Sequence, residues 1–364
     1  MTSSNQDESK VPFRGFRGKR AGRRKWPLIL AILLGSISLL YLLGPKATEP
    51  DFTNLHLTKQ NADLHALEDS LKRSEAEQPI KPDNEARIIW ESPYEKTPYS
   101  IVYLHGNAAS QEEGDPIHEG LAHRYGCNMY LARLSSHGLK GDNPMLDIND
   151  EAWMQSALDA IEVGKSIGEK VIVLSCSTGS IFDLYLSAKY PDLVAGHIMM
   201  SPNVDIYDPR STLLAGHWGL QIARKIMGSE FYGWKPPGPA QKYWYARYRI
   251  EGLTRLKAMI NATMTESTFS KVDEPVMILY YYQDDEHQDK TVSVIRMKEM
   301  FQQIGTPTDQ KKEIALADAG THIICSSYFN QHLESLWTPI TSFVENVMHI
   351  APVNDTDWKP FLDH

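Results

Sequence analysis

The stretch Lys170–Gly179, which reads KVIVLSCSTG, constrains the fold of this chain more than any other feature. After Lys170 its first half is short and apolar, as expected for a central strand that is buried on both faces of a parallel sheet. The small residues SCSTG follow at once, and a helical pattern begins at Ser180. An apolar strand that enters a helix through a tight turn predicts an α/β architecture.

An alternation of strand and helix patterns from residue 86 onward supports this prediction. Glu151–Gly168 has apolar residues at helical spacing and ends in Gly. Further strands are predicted over Ala86–Trp90, Tyr99–Leu104, Asn128–Leu134, Ala195–Ser201, Pro275–Tyr282 and Lys312–Leu316. Strands that alternate with helices imply right-handed crossovers and a mostly parallel central sheet flanked by helices.

One long segment, residues 203–271, interrupts this alternation. It is irregular and aromatic, with Trp218, Phe231, Tyr232, Trp234, Tyr243, Trp244, Tyr245 and Tyr248. An insertion that follows a strand of a parallel sheet lies over the carboxyl ends of the strands, where ligands bind. We therefore expect a lid, whose aromatic residues mostly pack against one another while a minority line an acyl or alkyl pocket.

The N-terminus carries a separate signal. Residues 1–25 have a net charge of +6 within a chain of net charge −9, which leaves −15 for the remainder. An acidic body argues against a nucleic-acid binder, whose basic surface should lie on the folded part. Pro27–Gly44 has no charged residue, and its 18 residues would form a helix of about 27 Å, close to the hydrocarbon thickness of a bilayer.

These patterns predict a basic cytoplasmic tail over residues 1–26 and a single transmembrane helix over 27–44 that anchors the protein in a membrane. The positive-inside tendency then places the rest of the chain on the periplasmic or extracytoplasmic side. A cleaved signal peptide and a buried core helix are the alternatives. Residues 45–85 are polar, and leucines at near-helical spacing before Pro79 predict a stalk or leading helix.

Three cysteines, Cys127, Cys176 and Cys325, are too few and too scattered for a disulfide scaffold or a zinc site. We expect buried free thiols. The odd count leaves one disulfide open, because nothing in the spacing selects a pair.

Ser177 is the candidate nucleophile of the strand–turn–helix segment. Such a turn is strained, so the positions two before and two after the nucleophile must be small. Ser175 and Gly179 meet this requirement for Ser177, whereas other choices of serine place Val173 or Phe182 at a flank. Ser175 stands where the pattern has Gly, which adds one hydroxyl group at a close approach of strand and helix.

A serine hydroxyl needs a base to take its proton, and the base needs an acid that orients it. His322 follows Gly320 in a late loop and is the candidate base. The acid belongs in the loop after Pro275–Tyr282, which contains several carboxylates. Position after the strand favours Asp284, whereas the D-x-x-V pattern before the next helix favours Asp289, which we prefer.

A nascent oxyanion needs N–H donors that are already in place. The strand Tyr99–Leu104 ends in His105-Gly106-Asn107, and a His-Gly motif after an early strand supplies one backbone donor. The residue after the nucleophile supplies the other. The candidate donors are therefore the backbone N–H groups of Asn107 and Thr178.

LHGNAAS, SCSTG, the acid loop and AGTH, in this order, resemble the α/β-hydrolase superfamily over about residues 86–350. Within it the chain resembles bacterial esterases and monoacylglycerol-lipase-like serine hydrolases with a helical lid. The resemblance implies an α/β-hydrolase domain over 86–364 that hydrolyses small or lipid-like carboxylic esters through an acyl-enzyme, without a metal or cofactor. A peptidase or amidase on the same triad and an inactive binding protein on this scaffold are the alternatives.

Overall fold

The computed structural model describes residues 25–58 and 60–362 of the chain. The chain divides into two compact units, Met1–Gly44 and Pro45–His364. In the first unit, helix α1 occupies Trp26–Leu42, 17 residues that agree in position with the predicted apolar helix. Over the described ranges, however, no helix combines the length and apolarity that crossing a membrane requires. The predicted transmembrane anchor over 27–44 is therefore not supported by the structure.

The second unit contains nine strands and nine further α-helices among its described residues. The strands are β1 (Arg87–Ile89), β2 (Thr97–Leu104), β3 (Asn128–Leu131), β4 (Gly168–Cys176), β5 (Gly196–Met200), β6 (Phe231–Gly233), β7 (Arg247–Arg249), β8 (Val276–Tyr281) and β9 (Lys311–Leu316). The helices are α2 (Leu64–Ala76), α3 (Ile117–Arg124), α4 (Asp150–Ile167), α5 (Gly179–Lys189), α6 (Gly219–Met227), α7 (Ile250–Thr263), α8 (Glu266–Phe269), α9 (Val294–Gln303) and α10 (Glu334–Asn346).

A seven-stranded sheet forms the centre of this unit, in the order β1-β3-β2-β4-β5-β8-β9. Only β1 is antiparallel to its neighbour, and the other six strands pair in parallel. The mostly parallel sheet predicted from the sequence is thus confirmed. Each of the seven strands predicted from apolar runs corresponds to one strand of this sheet.

The two faces of the sheet are buried in separate apolar cores because side chains alternate along each strand. Val102 and Leu104 belong to the core that also contains residues of α4, α5 and α9. Ile101 and Tyr103 belong to the opposite core, which contains residues of α3 and α10. Both faces of the central strands are therefore covered. Polar residues can be exposed where these strands end, at the carboxyl end of the sheet.

Residues 45–85, which the sequence predicts to be a polar stalk, are part of the second unit. Phe52, Leu55 and Leu67 are buried in its larger core. Glu75 in α2 accepts two hydrogen bonds of 2.7 Å from the guanidinium of Arg133. The leading helix is present, but its apolar side packs against the rest of the second unit, so the segment does not act as a free spacer.

The insertion, residues 203–271, lies between β5 and β8 and contains α6, α7, α8 and the small antiparallel pair β6–β7. Met259 in α7 and Phe269 in α8 are fully buried in the main core. In contrast, Ile226 and Met227 at the end of α6 are exposed. The C-terminal part of the insertion is therefore anchored to the sheet, and its N-terminal part presents apolar side chains at the surface.

Candidate active site

Ser177 lies in the turn between β4 and α5, at the carboxyl edge of the sheet. Its φ of +50° is in the left-handed region, which non-glycine residues rarely adopt. Two backbone hydrogen bonds fix this conformation: Ser177 N–H donates to Met200 O at 2.9 Å, and Ser177 O accepts from Asn203 N–H at 3.1 Å. A Cβ on Gly179 would lie 2.0 Å from Leu104 O, so only glycine fits at that flank.

Ser175, at the other flank, belongs to a buried polar network. Its hydroxyl donates to Asp183 Oδ2 at 3.0 Å and lies 3.1 Å from the hydroxyl of Ser180. The other carboxylate oxygen of Asp183 lies 2.7 Å from His197 Nδ1, and His197 Nε2 lies 3.6 Å from the Glu274 carboxylate. The network therefore links the turn to helix α5 and strand β5.

The charge of this network is balanced inside the protein. Burial opposes protonation of His197, but the carboxylates of Asp183 and Glu274 outweigh it and raise the pKa of the imidazole to about 10. At neutral pH His197 is therefore a buried imidazolium. A cation held between two carboxylates behind the turn fixes the relative positions of β5 and α5.

His322 and Asp289 form the second pair of the site. His322 Nδ1 lies 2.6 Å from Asp289 Oδ2, and the Asp289 side chain is fully buried. The other oxygen of Asp289 accepts the backbone N–H groups of Thr291 at 2.8 Å and Val292 at 3.1 Å. Burial lowers the pKa of His322, but the Asp289 carboxylate outweighs burial and holds it above the usual value, with a smaller contribution from Glu113.

Asp284, the other candidate acid, contacts a different histidine. It is exposed, and its carboxylate accepts hydrogen bonds from the backbone N–H groups of Glu286 and His287 and lies 2.9 Å from His287 Nδ1. These contacts close a surface loop. Of the two acids that the sequence left open, the structure thus pairs Asp289 with His322.

A cavity of about 610 Å³ contains the polar residues of the site. Ser177 and His322 both line it, together with Asn107, Thr178 and Glu113. The insertion contributes most of the apolar wall, through Leu213, Leu214, Ile222, Ala223, Ile226, Met227, Tyr232, Trp234, Trp244, Tyr248, Leu253 and Leu256. The nucleophile and base predicted from the sequence are therefore exposed to one largely apolar space.

Asn107 and Thr178, whose backbone N–H groups the sequence predicts as donors, both line this cavity. Within the described part of the chain, neither backbone N–H group donates a hydrogen bond to a protein acceptor. Thr178 is fully buried just before α5, where the helix dipole favours negative charge. The Asn107 side chain donates to the Tyr248 hydroxyl at 3.3 Å, which joins this loop to the insertion.

Glu113 is a cavity residue that the sequence analysis missed. Its carboxylate is buried and accepts the Gly106 N–H at 2.6 Å and the Tyr103 hydroxyl at 3.2 Å. Burial raises its pKa, although the Gly106 hydrogen bond opposes this. Glu113 therefore holds the loop that carries Asn107. Nothing in its local sequence distinguishes it from the adjacent Glu112, so no motif could have selected it.

No protein-family model and no curated protein sequence matches the chain. Among solved structures, one described for LipS and LipT, two metagenome-derived lipolytic enzymes, is 15% identical and has a TM-score of 0.59, covering 73% of this chain and 99% of that chain. A putative non-heme bromoperoxidase, BpoC from Mycobacterium tuberculosis H37Rv, is 13% identical with a TM-score of 0.51, covering 72% and 95%. The chain has the α/β-hydrolase fold that its sequence resemblance implied.

Proposed function

We propose that this protein is a serine hydrolase that cleaves carboxylic esters through an acyl-enzyme on Ser177. The observation that carries the proposal is the 2.6 Å contact between His322 Nδ1 and the buried Asp289, with His322 and Ser177 in one cavity. The role of orienting acid requires a carboxylate that is shielded from water and held by its own hydrogen bonds. Asp289 has both properties, whereas Asp284 is held by hydrogen bonds but is exposed to water.

The residues of the site divide the steps of the proposed reaction between them. Asp289 accepts the Nδ1–H of His322, which leaves Nε2 unprotonated to take the proton of Ser177 Oγ as that oxygen attacks the ester carbonyl. The backbone N–H groups of Asn107 and Thr178 stabilise the resulting oxyanion. His322 then donates the proton to the leaving alcohol. In the second half-reaction His322 deprotonates a water that attacks the acyl carbonyl, and it then returns the proton to Ser177 Oγ as the acid leaves.

The shape and lining of the cavity support an acyl substrate of moderate size. Its volume lies within the range of about 300–1,000 Å³ that is typical of small-molecule sites. Its walls are mainly aliphatic and aromatic, and Arg210 and Lys290 are among its few charged residues. We infer that the apolar wall receives the acyl or alkyl chain and that residues 203–271 act as the lid over it.

A fluorophosphonate probe tests the nucleophile. We expect the probe to label the full chain and Ser177→Ala to abolish labelling. Ser211→Ala is the matched control, because Ser211 is a buried serine that lines the same cavity. Labelling that persists in Ser177→Ala would overturn the assignment.

Nitrophenyl esters of increasing chain length, assayed beside aminoacyl-naphthylamides, separate an esterase from a peptidase or amidase. We expect turnover of the esters, with kcat/KM rising with chain length until the cavity is filled. Preferential turnover of the amides would replace the ester proposal by the amidase alternative.

The location of the catalytic unit outside the cytoplasm is a further proposal. It rests on the basic residues that directly precede the uncharged run Pro27–Gly44. Fractionation of cells that express the full chain tests it, and recovery of all activity from the cytoplasmic fraction would refute it.

A further inference from the structure

A group of possible metal ligands lies at the start of helix α3, outside the cavity lining. A ring nitrogen of His118 and one carboxylate oxygen each of Asp115 and Glu119 lie within 4.8 Å of one another. His118 and Glu119 lie in the first turn of the helix, and Asp115 lies just before it in extended backbone. We propose that Asp115, His118 and Glu119 bind a divalent transition-metal ion such as Zn²⁺.

The burial of Asp115 is the first argument for a cation. The residue is only 7% exposed, and over the described residues it forms no ion pair. The acidic Glu112 and Glu119 lie nearby, and the neighbouring cation Arg87 is paired with Asp83 at 2.8 Å. Burial of a carboxylate among other carboxylates is costly unless a positive charge accompanies it. A bound cation supplies that charge.

His118 provides the second, independent argument. It is 1% exposed, and its Nε2 lies 3.1 Å from Gln111 O, which requires Nε2 to carry the proton. Nδ1 then has a free lone pair, and it has no hydrogen-bond partner in the described part of the chain although it is buried. A ligating histidine almost always donates its other N–H group in this way, which fixes the tautomer for metal binding.

The surrounding packing fixes the imidazole ring. Tyr103 contacts it edge-on, with ring centroids 5.1 Å apart and planes at 84°. A Cβ on Gly114 would lie 2.5 Å from His118 Cδ2, so the backbone approaches the ring as closely as glycine permits. Glu119 is only partly buried. A cation can therefore enter from the Glu119 side and bind to a ring whose orientation is already set.

The donor set indicates which cation binds. One imidazole nitrogen with carboxylate oxygens suits Zn²⁺ and related transition metals, whereas Ca²⁺ and Mg²⁺ prefer oxygen ligands alone. Zinc bonds of about 2.1 Å bring tetrahedral ligands to about 3.4 Å from one another. The ligand atoms must therefore move closer to one another on binding. Water completes the coordination.

The position of the group gives the cation a structural role. Asp115 O accepts the Ser327 N–H at 3.2 Å, and Pro116 pairs with Ser326, in the loop that follows His322. Glu113, two residues before Asp115, holds the Gly106 N–H. A cation at this point stiffens the segment that joins the Gly106 loop to the His322 loop. This role does not depend on the proposed esterase activity.

Calorimetric titration of the chelator-treated full chain with ZnCl2, together with thermal unfolding, tests the proposal. We expect one equivalent of Zn²⁺ to bind and to raise the Tm by a few degrees. Asp115→Asn and His118→Gln should each weaken binding at least about tenfold and remove the Tm increase. His123→Gln is the control, because His123 lies on the same helix with its side chain 43% exposed, and it should bind as the unsubstituted chain does.

Absence of Zn²⁺ binding, or binding that both variants retain, would overturn the proposal. X-ray absorption of the zinc-loaded, unsubstituted protein gives a test that does not depend on whether the variants fold. We expect nitrogen and oxygen ligands with one imidazole. Sulfur ligands would assign the metal to the cysteines and exclude this site.

Discussion

The Ser175 hydroxyl donates a hydrogen bond of 3.0 Å to Asp183, directly below the turn that carries Ser177. This contact explains why a serine occupies the position where the strand–turn–helix pattern has glycine. The added hydroxyl lies at the close approach of β4 and α5 and joins them through Asp183. Serine in place of glycine at position 175 therefore fixes the turn in addition to the two backbone hydrogen bonds of Ser177.

Replacement of this serine tests its positioning role. In Ser175→Ala the Asp183 carboxylate loses a buried donor, which should cost about 1–3 kcal/mol of unfolding free energy. We expect kcat to fall while KM changes little, since the binding wall is untouched. Ser187→Ala is the control, because Ser187 lies on α5 with Asp183 and has a buried hydroxyl without a partner among the described residues. A loss in stability with kcat unchanged would reduce Ser175 to a structural residue.

The pH profile of activity follows from the His322–Asp289 pair. His322 acts as a base only when neutral, and its pKa is raised, so kcat/KM should rise with pH through a midpoint above about 6.5. Asp289→Asn removes the charge that raises the pKa, so the midpoint should move to lower pH. We expect kcat to fall by about 10⁴ because the wrong tautomer is favoured.

Asp284→Asn is the matched control for the acid, because it removes a carboxylate from the same loop. We expect it to leave both the midpoint and kcat unchanged. A larger loss of activity in Asp284→Asn than in Asp289→Asn would reverse the assignment of the acid.

The buried His197 makes stability depend on pH. Its pKa in the folded protein is about 10, above the value of about 6.5 for an unfolded chain. The charged His197 therefore contributes its full stabilisation below about pH 6.5, and this contribution is lost as the pH rises towards 10. Urea unfolding at pH 7 and 9.5 should show this decline.

Asp183→Asn tests the source of that dependence. We expect this variant to lose about 3–5 kcal/mol of unfolding free energy at pH 7, because the buried imidazolium of His197 keeps one carboxylate partner fewer. The decrease in stability between pH 7 and 9.5 should also become smaller. Asp284→Asn removes an exposed partner of a histidine and should cost less than about 1 kcal/mol. An unchanged pH dependence in Asp183→Asn would show that His197 is not charged.

Glu113 should matter through the Gly106 N–H that it accepts. Glu113→Ala frees this N–H and loosens the loop of Asn107, so we expect kcat to fall about 10²–10³-fold with a smaller change in KM. Glu113→Gln retains an acceptor and should restore most of the rate. Equal losses in both variants would assign the effect to the charge of Glu113 instead.

The sequence predicted the sheet well because its central strands are buried on both faces. Runs such as KVIVL have no other plausible environment, and their predicted bounds differ from the observed ones by only a few residues. Asp289 and Asp284 could not be separated by position, since both follow β8. Their burial separates them, and burial depends on contacts between distant parts of the chain.

The packing of residues 45–85 and the partners of His197 could not be predicted, because both depend on contacts between distant parts of the chain. The packing of Phe52 and Leu67 against the body depends on surfaces that form only in the folded unit. His197 left a usable signal, because a histidine within an apolar strand needs a buried partner. Its partners, Asp183 and Glu274, are distant in sequence, and only the sheet brings them together.

The three free thiols also have a consequence for measurement. Cys176 directly precedes Ser177, Cys325 follows His322 by three residues, and both are fully buried, as Cys127 nearly is. A small thiol reagent can therefore modify them only when the surrounding structure opens. The rate at which Cys176 and Cys325 react, compared with that of Cys127, measures how often the loops around the cavity open without unfolding of the whole unit.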